Sequence, residues 1–276
     1  MKKDIKLIAV DLDGTLLNSD KIVTERSIRA LTLAAERGIE IVISTGRLFS
    51  TVPHEVHDLP FIRYLICVNG SRVVDKKTGK TLYQAEIPCK RAVEVMRMLD
   101  DVPCIYDCYI DGKGWMSKDL YEKIDEYGDT EYVRNFIRTS RTPVDDLKQY
   151  LIDRGEDVQK VQLFLRTYED QDIYRDRLRK AFADLVVCSS FSTNVELNSA
   201  DATKGKALTV LCDHLGVDTE KVAAFGDADN DVTMFEAVGV GVAMGNAFDS
   251  VKQAAFTVTT SCDEDGVAKF IEEYIL

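Results

Sequence analysis

The stretch Leu7-Ile8-Ala9-Val10-Asp11-Leu12-Asp13-Gly14-Thr15-Leu16-Leu17 decides how the chain folds. Its first four residues form a short aliphatic run closed by a glycine-containing turn, the pattern of a strand buried on both faces. Asp11 and Asp13 then leave the C-terminal end of that strand on the same side. In open parallel sheets, ligands bind beyond this end of the strands. Two carboxylates there repel each other, and a hard cation such as Mg²⁺ is the simplest relief. A solvated acidic turn would account for the same letters, so the motif needs a second witness.

That witness lies far along the chain. Lys221-Val222-Ala223-Ala224-Phe225-Gly226 is another short apolar strand, and it runs into Asp227-Ala228-Asp229-Asn230-Asp231. If the two strands are neighbours, Asp11, Asp13 and Asp227 can share one cation while leaving room for a phosphate. Asp229 reads as a capping acid of the helix that follows; Asp231 leans to function. Between the clusters, Ile39-Glu40-Ile41-Val42-Ile43 ends in Ser44-Thr45-Gly46-Arg47, where a hydroxyl and a glycine amide can hold a phosphoryl oxygen. Thr203-Lys204-Gly205-Lys206 opens a helix with Ala207, Leu208, Leu211 and Leu215 on one face. A lysine in a first helical turn is electrostatically misplaced, and a bound phosphate would explain it.

Taken in order, Asp-Leu-Asp-Gly-Thr-Leu (11–16), Ser-Thr-Gly-Arg (44–47), Lys204 and Gly-Asp-x-x-Asn-Asp (226–231) resemble the four motifs of the haloacid dehalogenase superfamily. The Thr-Gly-Arg signature, Val68-Asn69-Gly70 and the long insert before Lys204 are similar to Cof-type phosphatases with a type IIB cap. Asp201-Ala202-Thr203 departs from the Gly-Val-Ser-like segment more usual before the lysine. The resemblance implies a Mg²⁺-dependent phosphatase acting on small phosphorylated metabolites, sugar phosphates first, through an aspartyl-phosphate on Asp11. It implies Asp13 as acid and base, and Mg²⁺ held by the Asp11 carboxylate, the Asp13 carbonyl and the Asp227 carboxylate. Thr45, the Gly46 amide, Lys204 and Asn230 would hold the phosphoryl group, with Asp231 in support. Arg47 has two readings, a substrate contact or a surface ion pair, and Ser44 competes with Thr45 as the hydroxyl donor. A phosphomutase would share every motif. A non-catalytic phosphometabolite-binding protein would not need Asp13 and Lys204, and a phosphorylation-switch receiver would need neither Asp13 nor a cap.

Composition sets the remaining bounds. With 276 residues, 45% apolar and 30% charged, the chain is long enough for a core and a second domain. A net charge of −12 argues against nucleic acid and anionic membrane surfaces. Met1-Lys2-Lys3-Asp4 leads straight into the first strand without a signal-like or spanning segment, and seven cysteines, most in apolar patterns, read as reduced core thiols. A cytoplasmic location is therefore expected, while the oligomeric state is not encoded legibly. His54 and His57 have no further ligand arranged around them and read as structural.

Strand–helix alternation over residues 1 to about 80, with helices near 24–37 and 47–58, implies an α/β fold: a Rossmann-like parallel sheet. From Ile87 the texture changes to helices and hairpins, so an inserted α+β cap is expected over 82–191, with the core at 1–81 and 192–276. A cap of this kind would exclude water and select the substrate.

Overall fold

The computed structural model describes residues 4–127, 130–189 and 193–276. The chain divides into two compact units, Met1–Gln84 with Thr203–Leu276, and Ala85–Ala202. The opening segment contains β1 (Leu7–Val10), α1 (Glu25–Glu36), β2 (Glu40–Ser44), β3 (Ile62–Cys67), β4 (Arg72–Asp75) and β5 (Lys80–Gln84). The second unit contributes α2 (Cys89–Leu99), β6 (Ile105–Ile110), β7 (Lys113–Ser117), α3 (Glu131–Ser140) and β8 (Arg141–Val144). It continues through α4 (Leu147–Arg154), β9 (Lys160–Phe164), α5 (Tyr168–Ala181), β10 (Leu185–Cys188) and β11 (Asn194–Ser199). The chain then returns to the first unit with α6 (Lys204–Leu215), β12 (Val222–Gly226), α7 (Val232–Ala237), β13 (Val240–Ala243) and β14 (Thr257–Val258).

The first unit is built on one sheet ordered β14-β13-β12-β1-β2-β3-β4-β5. Its first six strands are parallel, and β3-β4-β5 turn antiparallel through hairpins. Parallel strands covered on both faces need near-continuous apolar sequence, and β1, β12 and β13 are buried throughout. Leu7, Ala9, Val42 and Ile66 meet Leu208, Leu211, Met234 and Phe235 of α6 and α7 in one cluster. Each helix is delimited locally. Thr24 accepts from Ser27 N at the start of α1; Thr203 accepts from Lys206 N at the start of α6, which ends on Gly216 in the left-handed region. The strand order reverses between β1 and β12, so their C-terminal ends open the crevice where α/β sheets bind ligands.

The second unit holds a six-stranded sheet ordered β10-β11-β9-β6-β7-β8, antiparallel except for β7 with β8. One face packs Cys108, Val161, Leu163 and Leu197 against Met96 of α2, Leu151 of α4 and Leu178 of α5. Its alternate residues are polar yet buried: Asp107 with Arg141 (2.9 Å), and Lys160 with Glu196 (2.9 Å).

Three expectations need correction. The boundary placed at 191/192 lies outside the described residues, but β11 pairs antiparallel with both β9 and β10, so 194–199 belong to the second sheet and the first unit resumes at Thr203. The helix expected over 47–58 is only two short turns, Phe49–Thr51 and His54–His57, because Pro53 sits extended (ψ 139°) between them. The charged stretch between Trp115-Met116 and Val161, whose pattern reads as helical, also contains a strand, β8. Among the described residues no helix is long and apolar enough to cross a membrane.

Candidate active site

The chemistry-bearing side chains collect where β1, β12, β2 and β3 end. Asp11 follows β1 directly, its amide donating to Phe225 O (3.1 Å) and so continuing the ladder with β12. The chain then turns at Gly14, φ +85°, a position where a Cβ would lie 2.4 Å from Asp227 Oδ2. Only glycine allows both the turn and that approach. Thr15 Oγ1 donates to Asp227 Oδ1 (2.8 Å), tying the two strand ends together.

Lys204 opens α6 and is buried, with its Nζ donating to Asp11 Oδ1 (2.7 Å) and Asp231 Oδ1 (2.6 Å). Its placement in a first helical turn is thus offset by two carboxylates, without invoking a phosphate. Burial disfavours its charge, but Asp11 and Asp231 outweigh that and raise its pKa. The second Asp231 oxygen accepts from the amides of Asp227 (2.9 Å) and Ala228 (3.0 Å), so Asp231 is fully occupied as a brace. Asp229 shares the same single turn, Asp229–Asp231.

Asp11, Asp227 and Asp231 place carboxylate oxygens within 4.8 Å of one another. Burial pushes the Asp11 carboxyl well above its ordinary range, with Asp231 and Asp227 adding to the effect and Lys204 opposing it. Asp227 is pushed up to about 7 by burial and by Asp231. No protein donor engages Asp11 Oδ2 or Asp227 Oδ2 among the described residues. The carboxylates of Asp11 and Asp227, this close together and with Asp227 Oδ2 unengaged, form a donor set suited to a hard divalent cation.

The Asp13 carboxylate is not one of this cluster of three. Arg47 grips it with Nε on Oδ2 (2.7 Å) and Nη2 on Oδ1 (2.8 Å), and Lys21 Nζ adds a contact to Oδ1 (3.2 Å). Burial pushes the carboxyl up, yet the bonds and charges of Arg47 and Lys21 prevail and hold it below its ordinary range. The ion pair is only 12% exposed on the Arg47 side and forks onto a site carboxylate rather than lying on the surface.

Thr45 is buried and its Oγ1 accepts from Arg47 N (3.1 Å), leaving its own hydrogen to donate. Ser44 Oγ is buried without a partner. Gly46 lies under Asn69, whose Oδ1 would be 2.8 Å from a Cβ there. On the sequence alone Asn69, in the Val68-Asn69-Gly70 stretch after a core strand, could face the pocket or simply form an Asn-Gly turn. It sits in a turn where Val68 and Asn69 take φ of 51° and 56°, costly for a β-branched residue. Val68 N to Arg47 O (3.0 Å) and Asn69 N to Thr45 O (3.1 Å) hold that turn against the β2 loop. Asn69 Oδ1 then accepts from Asn230 Nδ2 (3.0 Å), while Asn230 Oδ1 is buried without a partner. The remaining Nδ2 hydrogen is what Asn230 can still offer an anion. Thr15 lies inside the Asp-Leu-Asp-Gly-Thr-Leu motif without a role of its own in the sequence reading, and Lys21 has no sequence signal beyond its nearness to Asp13.

The sequence model of the haloacid dehalogenase-like hydrolase family matches residues 8–271. A 5-amino-6-(5-phospho-D-ribitylamino)uracil phosphatase of Bacillus subtilis is 32% identical over 279 residues, covering 97% of each chain. A pyridoxal phosphate phosphatase of Escherichia coli is 31% identical, covering 98% of this chain and 99% of its own. Among solved structures, a haloacid dehalogenase-like hydrolase from B. subtilis superposes with a TM-score of 0.86 at 31% identity, over 98% of this chain and all of that one.

Proposed function

This chain belongs to the haloacid dehalogenase-like hydrolases and is one of their Cof-type phosphatases, and on that premise we propose that it hydrolyses small phosphorylated metabolites, sugar phosphates foremost, with Mg²⁺ and an aspartyl-phosphate on Asp11. One observation carries the reading: Lys204 secures Asp11 by a single oxygen and leaves the other open at the mouth of β1. A carboxylate aimed and oriented in this way is an in-line nucleophile for phosphorus. The relatives named above act on phosphate esters of small polar molecules, which supports the substrate class.

The residues supply the following steps. Asp11 Oδ2 forms the new P–O bond as the ester P–O bond breaks, and Asp13, released from the Arg47 fork that keeps it ionised and carrying the proton taken in the preceding hydrolysis, delivers that proton to the departing alkoxide. Water then attacks phosphorus, Asp13 takes its proton, and the Asp11 carboxylate and inorganic phosphate are released. Thr45, the Gly46 amide, Asn230 and Lys204 neutralise the phosphoryl oxygens. Mg²⁺, held by Asp11, Asp227 and the Asp13 carbonyl, would supply the positive charge that lets a dianion approach carboxylates. Asp231 braces Lys204 and the Asp227 loop.

The test is phosphate release from a panel of hexose phosphates, ribose 5-phosphate, pyridoxal phosphate and the ribitylaminouracil phosphate, with Mg²⁺ and with chelator. Release is expected only with Mg²⁺, and Asp11→Asn should abolish it while melting as wild type does. An isomeric ester in place of free phosphate would mean a mutase. Full turnover by pure Asp11→Asn would overturn the covalent route.

A further inference from the structure

Beyond β3 the chain passes through Val68, Asn69 and Gly70 with φ of 51°, 56° and 98°, three left-handed residues in succession. Asparagine takes that conformation at small cost, but valine resists it. A turn strained in this way persists only where its surroundings fix it, and such turns cluster at sites of function. Here three parts of the candidate site do the fixing. The amides of Val68 and Asn69 donate to Arg47 O and Thr45 O in the loop after β2. Gly70 lies against the start of α6, where a Cβ would come within 2.1 Å of Thr203 O. The Asn69 side chain, 3% exposed, reaches the Asp229–Asp231 turn and accepts from Asn230.

A primary amide donates at one end and accepts at the other, so a half-turn about its last bond exchanges attraction for an anion with repulsion. The backbone beside Asn230 is held, because Asp231 is bound to Lys204 and to two amides. The Asn230 side chain has one hydrogen-bond partner among the described residues, Asn69 Oδ1. That oxygen accepts only from the Nδ2 end. Nδ2 would be 3.9 Å from a Cβ on Gly46, so the amide nitrogen lies beside the glycine whose N–H is a proposed phosphoryl ligand. We infer that Asn69 is a positioning residue, fixing the Asn230 amide so that its nitrogen, not its oxygen, faces the phosphoryl group. The second Nδ2 hydrogen and the Gly46 amide then serve the same anion, while Asn69 itself touches no substrate. The inference rests on the phosphatase reading given above.

Inorganic phosphate is the probe. Its inhibition of p-nitrophenyl phosphate hydrolysis with Mg²⁺ is compared in wild type, Asn69→Gly, Asn230→Ala and the double variant. Glycine at 69 keeps the left-handed backbone and removes only the acceptor. Asn69→Gly should weaken phosphate about tenfold or more, as Asn230→Ala does, and the double variant should match Asn230→Ala within about twofold. A residue that merely shaped the turn would loosen the Thr45 loop with or without Asn230, so its loss would appear again in the double variant. Losses that multiply, or an Asn69→Gly protein that binds phosphate as wild type does, would overturn the inference. If Asn69→Gly does not fold, the ¹⁵N spectrum of wild type decides. The two Asn230 side-chain hydrogens, assigned by their absence from Asn230→Ala, should respond unequally to phosphate, one shifting and the one on Asn69 staying in place. Two hydrogens that respond alike would equally overturn the inference. The phosphatase reading fails separately, and takes the inference with it, if phosphate does not inhibit wild type or binds Asn230→Ala as tightly as wild type.

Discussion

At the scale of single residues, the site is organised by a buried lysine rather than by its carboxylates. Asp11 and Asp231 face each other across Lys204, and each would be an uncompensated buried charge without it. Lys204→Ala should therefore destabilise the protein by about 3–5 kcal/mol, the usual cost of stripping one partner from a buried pair. Urea unfolding measures this, and a loss under about 1 kcal/mol would mean the carboxylates are hydrated or protonated instead. Asp11, Asp13, Asp227 and Lys204 were legible as candidates because short, chemically odd motifs sit at strand ends. Their partners were not legible. Nothing in the letters pairs Asp13 with Arg47 or Asn69 with Asn230, since those contacts join loops whose proximity exists only after the sheet forms.

At the scale of elements, two ion pairs make opposite predictions. The Asp107–Arg141 pair links β6 and β8 within the second unit, with both side chains fully enclosed. Asp107→Ala should cost about 3–5 kcal/mol, whereas replacing both partners with apolar residues of similar volume should recover most of it. Calorimetry of the single and double variants separates these outcomes, and a double variant as weak as the single one would show that the network beyond the pair matters. Asp75, at the end of β4, accepts a fork from Arg63, which holds its carboxyl well below the ordinary range, helped by the Lys77 amide (2.9 Å). A depressed carboxyl stabilises the fold above the ordinary carboxylate range and loses that contribution as pH falls toward its own lower value. Asp75→Asn should accordingly lower the melting temperature most at neutral pH and flatten the acid limb of the profile; an unchanged acid limb would remove the pair from the account. The strands themselves were readable from aliphatic runs. β8 and the broken 47–58 segment were not, because strand pairing and one proline overrode a helix-like charge pattern.

At the scale of the whole molecule, the described residues form two sheets, and the candidate metal ligands follow strands of one of them. Four carboxylates, Asp11, Asp13, Asp227 and Asp231, share their surroundings with three cations, Lys21, Arg47 and Lys204. A divalent cation would reverse that balance in favour of a phosphate dianion. Ligands that bind only the folded state stabilise it, by about 2.7 kcal/mol at a hundred times Kd. Mg²⁺ should raise the melting temperature of the wild type, and Asp227→Asn should remove most of the rise; an equal rise in both would place the cation elsewhere. By itself the sequence determined the α/β class, the switch from parallel to mixed texture and the identity of the strand-end acids, because these follow from local hydrophobic period and turn chemistry. Only the tertiary structure decided that β11 joins the second sheet, that Lys204 is held by carboxylates, and that Arg47 grips Asp13. Those are long-range pairings, chosen by which backbone edges and which buried charges remain to be satisfied once the chain has packed.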